Sequence, residues 1–216
     1  MYIAIEGVIG VGKTTLARLL QPAFQAALLL EVFEENPFLS DFYADRERYA
    51  FQTQIFFLLS RYHQQRKAVG DLLADQENLF SDYTFGKDAL FARINLAGDE
   101  LEMYYRVHDA LAEKIIKPDL ILYLRANTET LMQRIAFRDR PYERNMEPGY
   151  IHQLNEAYEG FFGDHHHETA VLPIETDNLD YVRDPEALKF VENRIRQTLR
   201  LPPFQQELPL GSQPHQ

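Results

Sequence analysis

Residues 7–14 read GVIGVGKT, a glycine-rich loop between the apolar strand candidate Tyr2–Glu6 and a helical pattern. In this strand–loop–helix context, loop N–H groups and the positive end of the helix dipole converge on phosphate oxygens. Lys13 adds a charge at the outer phosphates, and the Thr14 hydroxyl is a ligand for Mg²⁺. The sequence therefore predicts a nucleoside triphosphate site. We expect ATP to contact Gly7, Gly10, Val11, Gly12, Lys13, Thr14 and Thr15, with Arg138 and Asp177 from later in the chain.

Short apolar runs alternate with longer helical patterns along the rest of the chain. The strand candidates are Tyr2–Glu6, Leu28–Phe33, Asn78–Asp82, Asp119–Arg125 and Ala170–Ile174. The helical candidates cover residues 13–26, 41–69, 85–116, 128–162 and 185–200. This alternation predicts an α/β fold, with a parallel sheet of about five strands and helices on both faces. We expect one domain over residues 1–200 and a flexible Pro/Gln-rich tail over residues 201–216.

Composition limits the classes of partner. A net charge of −11 argues against a general polynucleotide binder, which needs a basic surface. No apolar run approaches the ~18 residues that cross a bilayer, so we expect no membrane association. The chain has no cysteine, which removes thiol nucleophiles and thiolate metal sites. These features fit a cytoplasmic protein.

The carboxyl ends of parallel strands are where ligands bind, so the residues after each strand candidate are inspected first. Glu34 and Glu35 follow the second candidate. Transfer of a phosphoryl group to a hydroxyl needs a carboxylate that orients the nucleophile and accepts its proton. Either glutamate fits that role, and a solvated acidic turn is the alternative.

The helix candidate that contains Tyr43 presents a second polar group. Gln54 and Arg61 are seven residues apart and share one face of a helix. The Gln54 amide offers a donor and an acceptor in one plane, which suits the edge of a nucleobase, and Arg61 offers a rigid fork of donors.

Asp82 follows the third strand candidate. It is predicted either to bind Mg²⁺, partly through water and together with Thr14, or to orient the substrate. The alternative is a helix N-cap.

Four arginines cluster after the fourth strand candidate: Arg134, Arg138, Arg140 and Arg144. Arg134 and Arg138 are four residues apart and share a helical face. Arginines that converge on a triphosphate neutralise charge that develops during transfer, so the segment is interpreted as a mobile lid with Arg134, Arg138 and Arg140 as catalytic residues. Surface salt bridges are the alternative interpretation. The histidines at 165–167 are adjacent and do not share a face, so no metal role is expected for them.

Taken in order, these segments resemble the deoxynucleoside kinases, in particular the bacterial deoxyadenosine/deoxyguanosine kinase branch. The resemblance lies in the phosphate-binding loop, Glu34–Leu39, the run from Tyr43 to Gln54 and Arg61, Leu120–Ala126, and Arg134–Arg140. It implies a P-loop kinase fold, ATP with Mg²⁺, and phosphorylation of a deoxyribonucleoside at its 5′-hydroxyl. It further implies a purine acceptor, with deoxycytidine as another candidate, and a homodimer.

The same resemblance assigns roles by position. Glu34, or alternatively Glu35, matches the base that accepts the 5′-hydroxyl proton. Tyr43 and Glu143 match the residues that hold the sugar 3′-hydroxyl, and Gln54 matches the reader of the base, with Arg61 beside it.

One departure from the family pattern follows the third strand candidate. Many relatives carry Glu-Arg-Ser there, whereas this chain has Ser81, Asp82 and Tyr83. Lys87 or an arginine of the lid is expected to replace the missing arginine. The substrate site is expected to include Asp82, Lys87 and Phe91.

Two other functions stay open. A nucleoside-monophosphate kinase of the thymidylate type shares the loop and the lid, but its acceptor calls for more cations near residues 34–61. The cations of that segment are Arg46, Arg48 and Arg61, against Glu31, Glu34, Glu35, Asp41, Asp45 and Glu47. A nucleotide sensor without catalysis is the second alternative, and it lacks an acceptor pocket.

Overall fold

Strand β1, Tyr2–Glu6, occupies the centre of a parallel sheet in a computed structural model that describes residues 1–32, 35–75, 78–163 and 168–203. The other strands are β2 (Ala27–Leu29), β3 (Leu79–Ser81), β4 (Leu120–Arg125) and β5 (Ala170–Glu175). Over the described residues their order is β2-β3-β1-β4-β5. Ala4 pairs with Ser81 on one side and with Ile121 on the other, so β3, β1 and β4 end at one edge. The predicted parallel α/β sheet is confirmed.

The helices form two groups around this sheet. They are α1 (Lys13–Phe24), α2 (Leu39–Ala44), α3 (Arg46–Asp75), α4 (Lys87–Asn95), α5 (Gly98–Ala112), α6 (Thr128–Arg138), α7 (Pro148–Gly163) and α8 (Pro185–Thr198), with a short 3₁₀ helix at Pro141–Glu143. Helix α8 packs on α1 and β5, whereas α4 packs on α3, α5 and α7. No helix in the described ranges has the length and apolarity needed to span a bilayer.

Three of the predicted helices are divided in the structure. The candidate over 41–69 breaks at Asp45, whose φ of −147° and ψ of 83° leave the helical region. The candidate over 85–116 breaks at Leu96, which is extended. The candidate over 128–162 breaks after Arg138, because Asp139 takes a φ of 48° and Pro141 and Pro148 begin new helical segments. Apolar spacing alone did not reveal these breaks.

Strand β2 is shorter than predicted, and this changes the site. Leu29 pairs with Ser81, the last residue of β3, so the ladder has no partner residue beyond that point. The chain then leaves the sheet, and the Glu31 N–H donates to Asp82 Oδ1 at 2.8 Å. The prediction that β2 runs from Leu28 to Phe33 is therefore wrong at its carboxyl end, and Glu31 takes the position just after the strand.

The core lies between the sheet and the two helix groups. Its fully buried side chains include Ile3, Ile5, Leu16, Leu120 and Leu122. Burial of this apolar surface fixes the strand ends, and with them the polar residues that follow each strand. The division into a domain over 1–200 and a flexible tail over 201–216 stays a prediction, because residues 204–216 lie outside the described part of the chain.

Candidate active site

The loop between β1 and α1 wraps tightly, and its glycines at positions 10 and 12 adopt conformations that side chains disfavour. Gly10 has a φ of 90°, and a Cβ there would lie 2.9 Å from the carbonyl oxygen of Leu131. Gly12 has a φ of 103°, and a Cβ there would collide with the Tyr181 hydroxyl. The loop therefore requires glycine at both positions and brings its backbone close to α6 and Tyr181.

Lys13 lies inside this loop. Its Nζ donates to the carbonyl oxygens of Gly7 at 2.7 Å and Val8 at 3.2 Å. Burial, reinforced by the positive charge of Lys87, lowers the pKa of Lys13 to about 8. The ammonium group is thus held where a triphosphate would sit, and it carries less positive charge above pH 8 than an exposed lysine does.

Asp82 joins two walls of the site. The Thr14 hydroxyl donates to Asp82 Oδ2, and Oδ1 of the same carboxylate accepts the Glu31 N–H. A hydroxyl and a carboxylate in contact form the partial oxygen set that Mg²⁺ takes when substrate phosphates and water complete its shell. Thr14 and Asp82 therefore fit the ion. Within the described ranges, no group of three or more acidic or histidine side chains is arranged for a metal.

Glu31 lines the cleft on the side formed by α3 and α4. Arg61 donates to Oε1 through Nε at 3.1 Å and through a second nitrogen, and Lys87 Nζ donates to Oε2 at 2.7 Å. Burial opposes the charge of Glu31, but the two cations outweigh it and hold the pKa of the carboxyl well below its usual range. The carboxylate is ionised at neutral pH and fixed from both sides.

Arg61 connects this carboxylate to the acceptor side of the cleft. Its guanidinium also forms an ion pair with Asp88, a buried residue of α4, and lies 4.7 Å from the Phe57 ring centroid. Gln54, 3% exposed, lines the same cleft from two turns earlier on α3. The shared face predicted for Gln54 and Arg61 is therefore observed.

The opposite wall comes from α2 and from the segment after α6. Arg138 donates to both oxygens of Glu143, at 2.7 and 2.5 Å, and Arg140 lies 3.8 Å from the same carboxylate. The rings of Tyr43 and Tyr142 stack with centroids 6.1 Å apart. Burial raises the pKa of the Tyr43 hydroxyl well above its usual value, so it acts as a neutral hydrogen-bonding group.

The structure brings most of the predicted site residues into one cleft. The predicted residues that line it are Gly10, Lys13, Thr14, Tyr43, Gln54, Arg61, Asp82, Lys87, Phe91, Arg138, Arg140 and Glu143.

Arg134 and Asp177 lie elsewhere. Arg134 donates to the carbonyl oxygens of Val11 and Thr176 and to the Thr176 hydroxyl, so it ties α6 to the loop and to the end of β5. Asp177 accepts the N–H of Asn127 at 3.0 Å. Thr15 is exposed on α1.

Of the two predicted bases, only Glu35 lies among the described residues, and it does not line the cleft. Glu35 is exposed, and Glu34 lies outside the described residues, as do the histidines at 165–167. The sequence analysis missed Glu31 because it extended β2 too far. The available signal was that Glu31 is the first polar residue after the apolar run at residues 26–30.

A phosphate-binding loop at the start of a helix, facing a buried carboxylate and an enclosed acceptor pocket, defines a P-loop kinase. A model of the deoxynucleoside kinase family matches residues 3–200, and the chain belongs to that family. It is 33% identical over 201 residues to deoxyguanosine kinase from Bacillus subtilis strain 168, covering 92% of this chain and 97% of that protein. It is 32% identical over 192 residues to deoxyadenosine kinase from Dictyostelium discoideum, covering 87% and 76%. A solved structure of deoxyadenosine kinase from M. mycoides with bound dATP superimposes with a TM-score of 0.79 at 25% identity, covering 91% of this chain and 100% of that chain.

Proposed function

We propose that this deoxynucleoside kinase transfers the γ-phosphoryl group of ATP to the 5′-hydroxyl of a purine deoxyribonucleoside, with Glu31 as the base. The observation that carries the proposal is the position of Glu31 in the same cleft as Lys13, held by Arg61 and Lys87. A phosphoryl donor on the loop and an acceptor hydroxyl at Glu31 would face each other across this cleft.

Glu31 is suited to the proton transfer because it is ionised and immobile. A carboxylate that is fixed by two cations keeps one geometry and accepts the 5′-hydroxyl proton as the bond to phosphorus forms. Its low pKa makes it a weak base. That is adequate for a loose transition state, in which most of the proton transfer follows bond breaking to the leaving group.

The donor side supplies charge. Lys13 binds the outer phosphates, and Arg138 and Arg140 are the cations that can turn from Glu143 toward the transferred group. Mg²⁺ held by Thr14 and Asp82 would neutralise phosphate charge. The contacts of Arg134 fit a positioning role for α6 rather than direct contact with phosphate.

The acceptor side is built for a neutral nucleoside. Gln54 offers a donor and an acceptor to the base, and Tyr43 and Glu143 lie on the opposite wall for the sugar hydroxyl. The free volume of the cleft is about 120 Å³, below the ~300 Å³ of typical ligand sites. We therefore infer that the wall formed by residues 138–143 moves outward to admit the nucleoside, as a lid.

Purine preference is inferred from relatives of the chain. The Bacillus protein is a deoxyguanosine kinase and the Dictyostelium and M. mycoides proteins are deoxyadenosine kinases, so a purine deoxynucleoside is the acceptor that they share. Deoxycytidine is the next candidate, because another Bacillus subtilis relative is a deoxyadenosine/deoxycytidine kinase.

A monophosphate acceptor fits the cleft poorly. The cations nearest the acceptor position, Arg61 and Lys87, are already paired with Glu31 and Asp88. A monophosphate would add negative charge beside two buried carboxylates.

The test is steady-state phosphorylation with Mg·ATP of deoxyadenosine, deoxyguanosine, deoxycytidine, thymidine and their monophosphates. We expect turnover of one or both purine deoxynucleosides and none of the monophosphates. Turnover of a monophosphate alone would replace the proposal with the monophosphate kinase, and ATP binding without turnover of any acceptor would replace it with the sensor.

We also propose that the chain acts as a homodimer in the cytoplasm. Met103 on α5 is a large apolar side chain that is 54% exposed, as expected of a residue at a protein contact. Sedimentation velocity should give twice the chain mass of 25.3 kDa, and a single-chain mass would contradict the dimer.

A further inference from the structure

A second cavity lies apart from the catalytic cleft. It is lined by α3, α5, α7 and the loop after β3, and among the described residues it shares no lining with the cleft. Its volume of about 380 Å³ falls in the ~300–1,000 Å³ range of small-molecule sites. Its walls include Phe85, Ile115, Ile121 and Phe162. The interior is therefore mostly apolar.

Two buried polar side chains line this cavity without using their hydrogen-bonding capacity. Gln65 is 2% exposed, and neither its Oε1 nor its Nε2 has a partner among the described residues. His108 is 9% exposed, and its Nε2 is likewise unpaired within the described part of the chain. Buried polar atoms are normally paired, because each unmet hydrogen bond destabilises the fold. A ligand that supplies the partners accounts for both residues.

The orientation of His108 determines what it offers. Its Nδ1 lies 3.2 Å from the Asp109 carboxylate, so Nδ1–H donates there and Nε2 of the neutral ring is an acceptor. The ring stacks on Phe85 with centroids 4.9 Å apart and planes 16° apart, which fixes its direction. Gln65 adds the two N–H donors of Nε2 and the acceptor Oε1, so a ligand that satisfies both side chains must carry donors beside an acceptor.

The charged side chains on the described walls of the cavity are Lys117 and Glu168. They form an ion pair with each other and are mostly exposed, which places them at the open end. The apolar interior therefore favours a neutral molecule, because burial of an unpaired charge is costly.

We propose that this cavity is a second small-molecule site, for a neutral planar heteroaromatic compound whose edge carries hydrogen-bond donors beside an acceptor. A nucleobase edge has this pattern. The site goes beyond the proposed kinase function and does not rest on it, because the two cavities are separate.

Stability gives the first readout. If Gln65 had only a packing role, Gln65→Leu would lower the Tm of the empty protein or leave it unchanged. If its amide is kept for a ligand, Gln65→Leu removes two unmet hydrogen bonds from the empty protein and raises its Tm, while it abolishes the stabilisation that the ligand provides.

Helix α3 offers a matched pair of variants for the binding experiment. Gln54 and Gln65 are eleven residues apart, about 16 Å along one face, with Gln54 in the cleft and Gln65 in the second cavity. Binding of adenine to the full chain is measured by calorimetry for the wild type, Gln54→Leu and Gln65→Leu, with indole as a planar comparator that lacks the acceptor.

We expect adenine to bind Gln54→Leu with one site per chain, and that site to weaken by about tenfold or more in Gln65→Leu. Indole should bind the wild type no more tightly than adenine binds the Gln65→Leu variant. Kinase turnover of Gln65→Leu should equal the wild type. Ala112→Phe, which narrows the cavity from α5 and leaves both polar groups in place, should also abolish the site, and it serves if Gln65→Leu does not fold.

Loss of all adenine binding in Gln54→Leu would overturn the proposal, as would equal affinity in Gln65→Leu or in Ala112→Phe. Failure of the kinase function would be seen separately, as absent turnover in the wild type.

Discussion

Lys87 Nζ donates to Glu31 Oε2 at 2.7 Å, and Arg61 Nε donates to Oε1 of the same carboxylate at 3.1 Å. The two cations come from different helices, α4 and α3, and together hold one carboxylate after β2. The segment Ser81, Asp82 and Tyr83 at the end of β3 contains no cation, and Lys87 brings a positive charge to Glu31 from the first turn of α4.

Substitution of Glu31 should separate catalysis from donor binding. Glu31→Gln keeps the size of the side chain and removes its charge, so kcat should fall by about 10²–10⁴ while ATP affinity changes little. Steady-state kinetics and ATP titration measure the two quantities. Glu35→Gln and Glu34→Gln are the matched controls and should keep near-normal kcat. A larger loss in either control would move the base to that residue.

Lys87 should set the pH at which activity begins. Burial raises the pKa of Glu31, whereas the charges of Arg61 and Lys87 lower it. Lys87→Met removes one of these two cations, so the pKa of Glu31 should rise. The base is active when ionised, and the acid limb of kcat/KM should therefore shift to higher pH. Lys87→Arg preserves the charge and should retain the original limb. An unchanged limb in Lys87→Met would show that Lys87 has no influence on the base.

ATP binding should be coupled to proton uptake by Lys13 at alkaline pH. The pKa of Lys13 is lowered to about 8, so above pH 8 most chains hold a neutral Lys13. A bound triphosphate favours the charged amine, and ATP binding at pH 9 should be accompanied by proton uptake that fades by pH 6.5. Calorimetry in buffers of different ionisation enthalpy measures the uptake. Lys13→Met should eliminate it, and uptake that persists in this variant would assign the proton elsewhere.

Two arginines of the segment after β4 should have different effects. Arg134 bonds to the backbone of Val11 and Thr176, so Arg134→Met should lower Tm by several degrees. Arg138 pairs with Glu143 and lines the cleft, so Arg138→Met should lower kcat by about 10²-fold or more. Steady-state kinetics on both variants test the contrast, and equal losses of kcat would contradict it.

The sequence was most informative where local pattern determines chemistry. The loop at 7–14 and the shared face of Gln54 and Arg61 follow from spacing, because glycine conformations and helical periodicity are local. The choice of Glu34 or Glu35 as the base followed from extending β2 to Phe33. That Glu31 enters the cleft depends on where β2 loses its partner, and that depends on the three-residue length of β3. The pairing of Lys87 with Glu31 is also non-local, since 56 residues separate them.

The two contacts of Asp82 tie the phosphate-binding loop to the backbone after β2. One carboxylate fixes both Thr14, in the phosphate-binding loop, and the backbone of Glu31, the proposed base. In the proposed reaction, the ends of three neighbouring strands therefore set the distance over which the phosphoryl group travels. Gln54, the proposed reader of the base, lies on α3 and contacts neither Asp82 nor Glu31 among the described hydrogen bonds. Substitution of Gln54 can therefore alter which nucleoside is accepted while the proposed reaction distance stays the same.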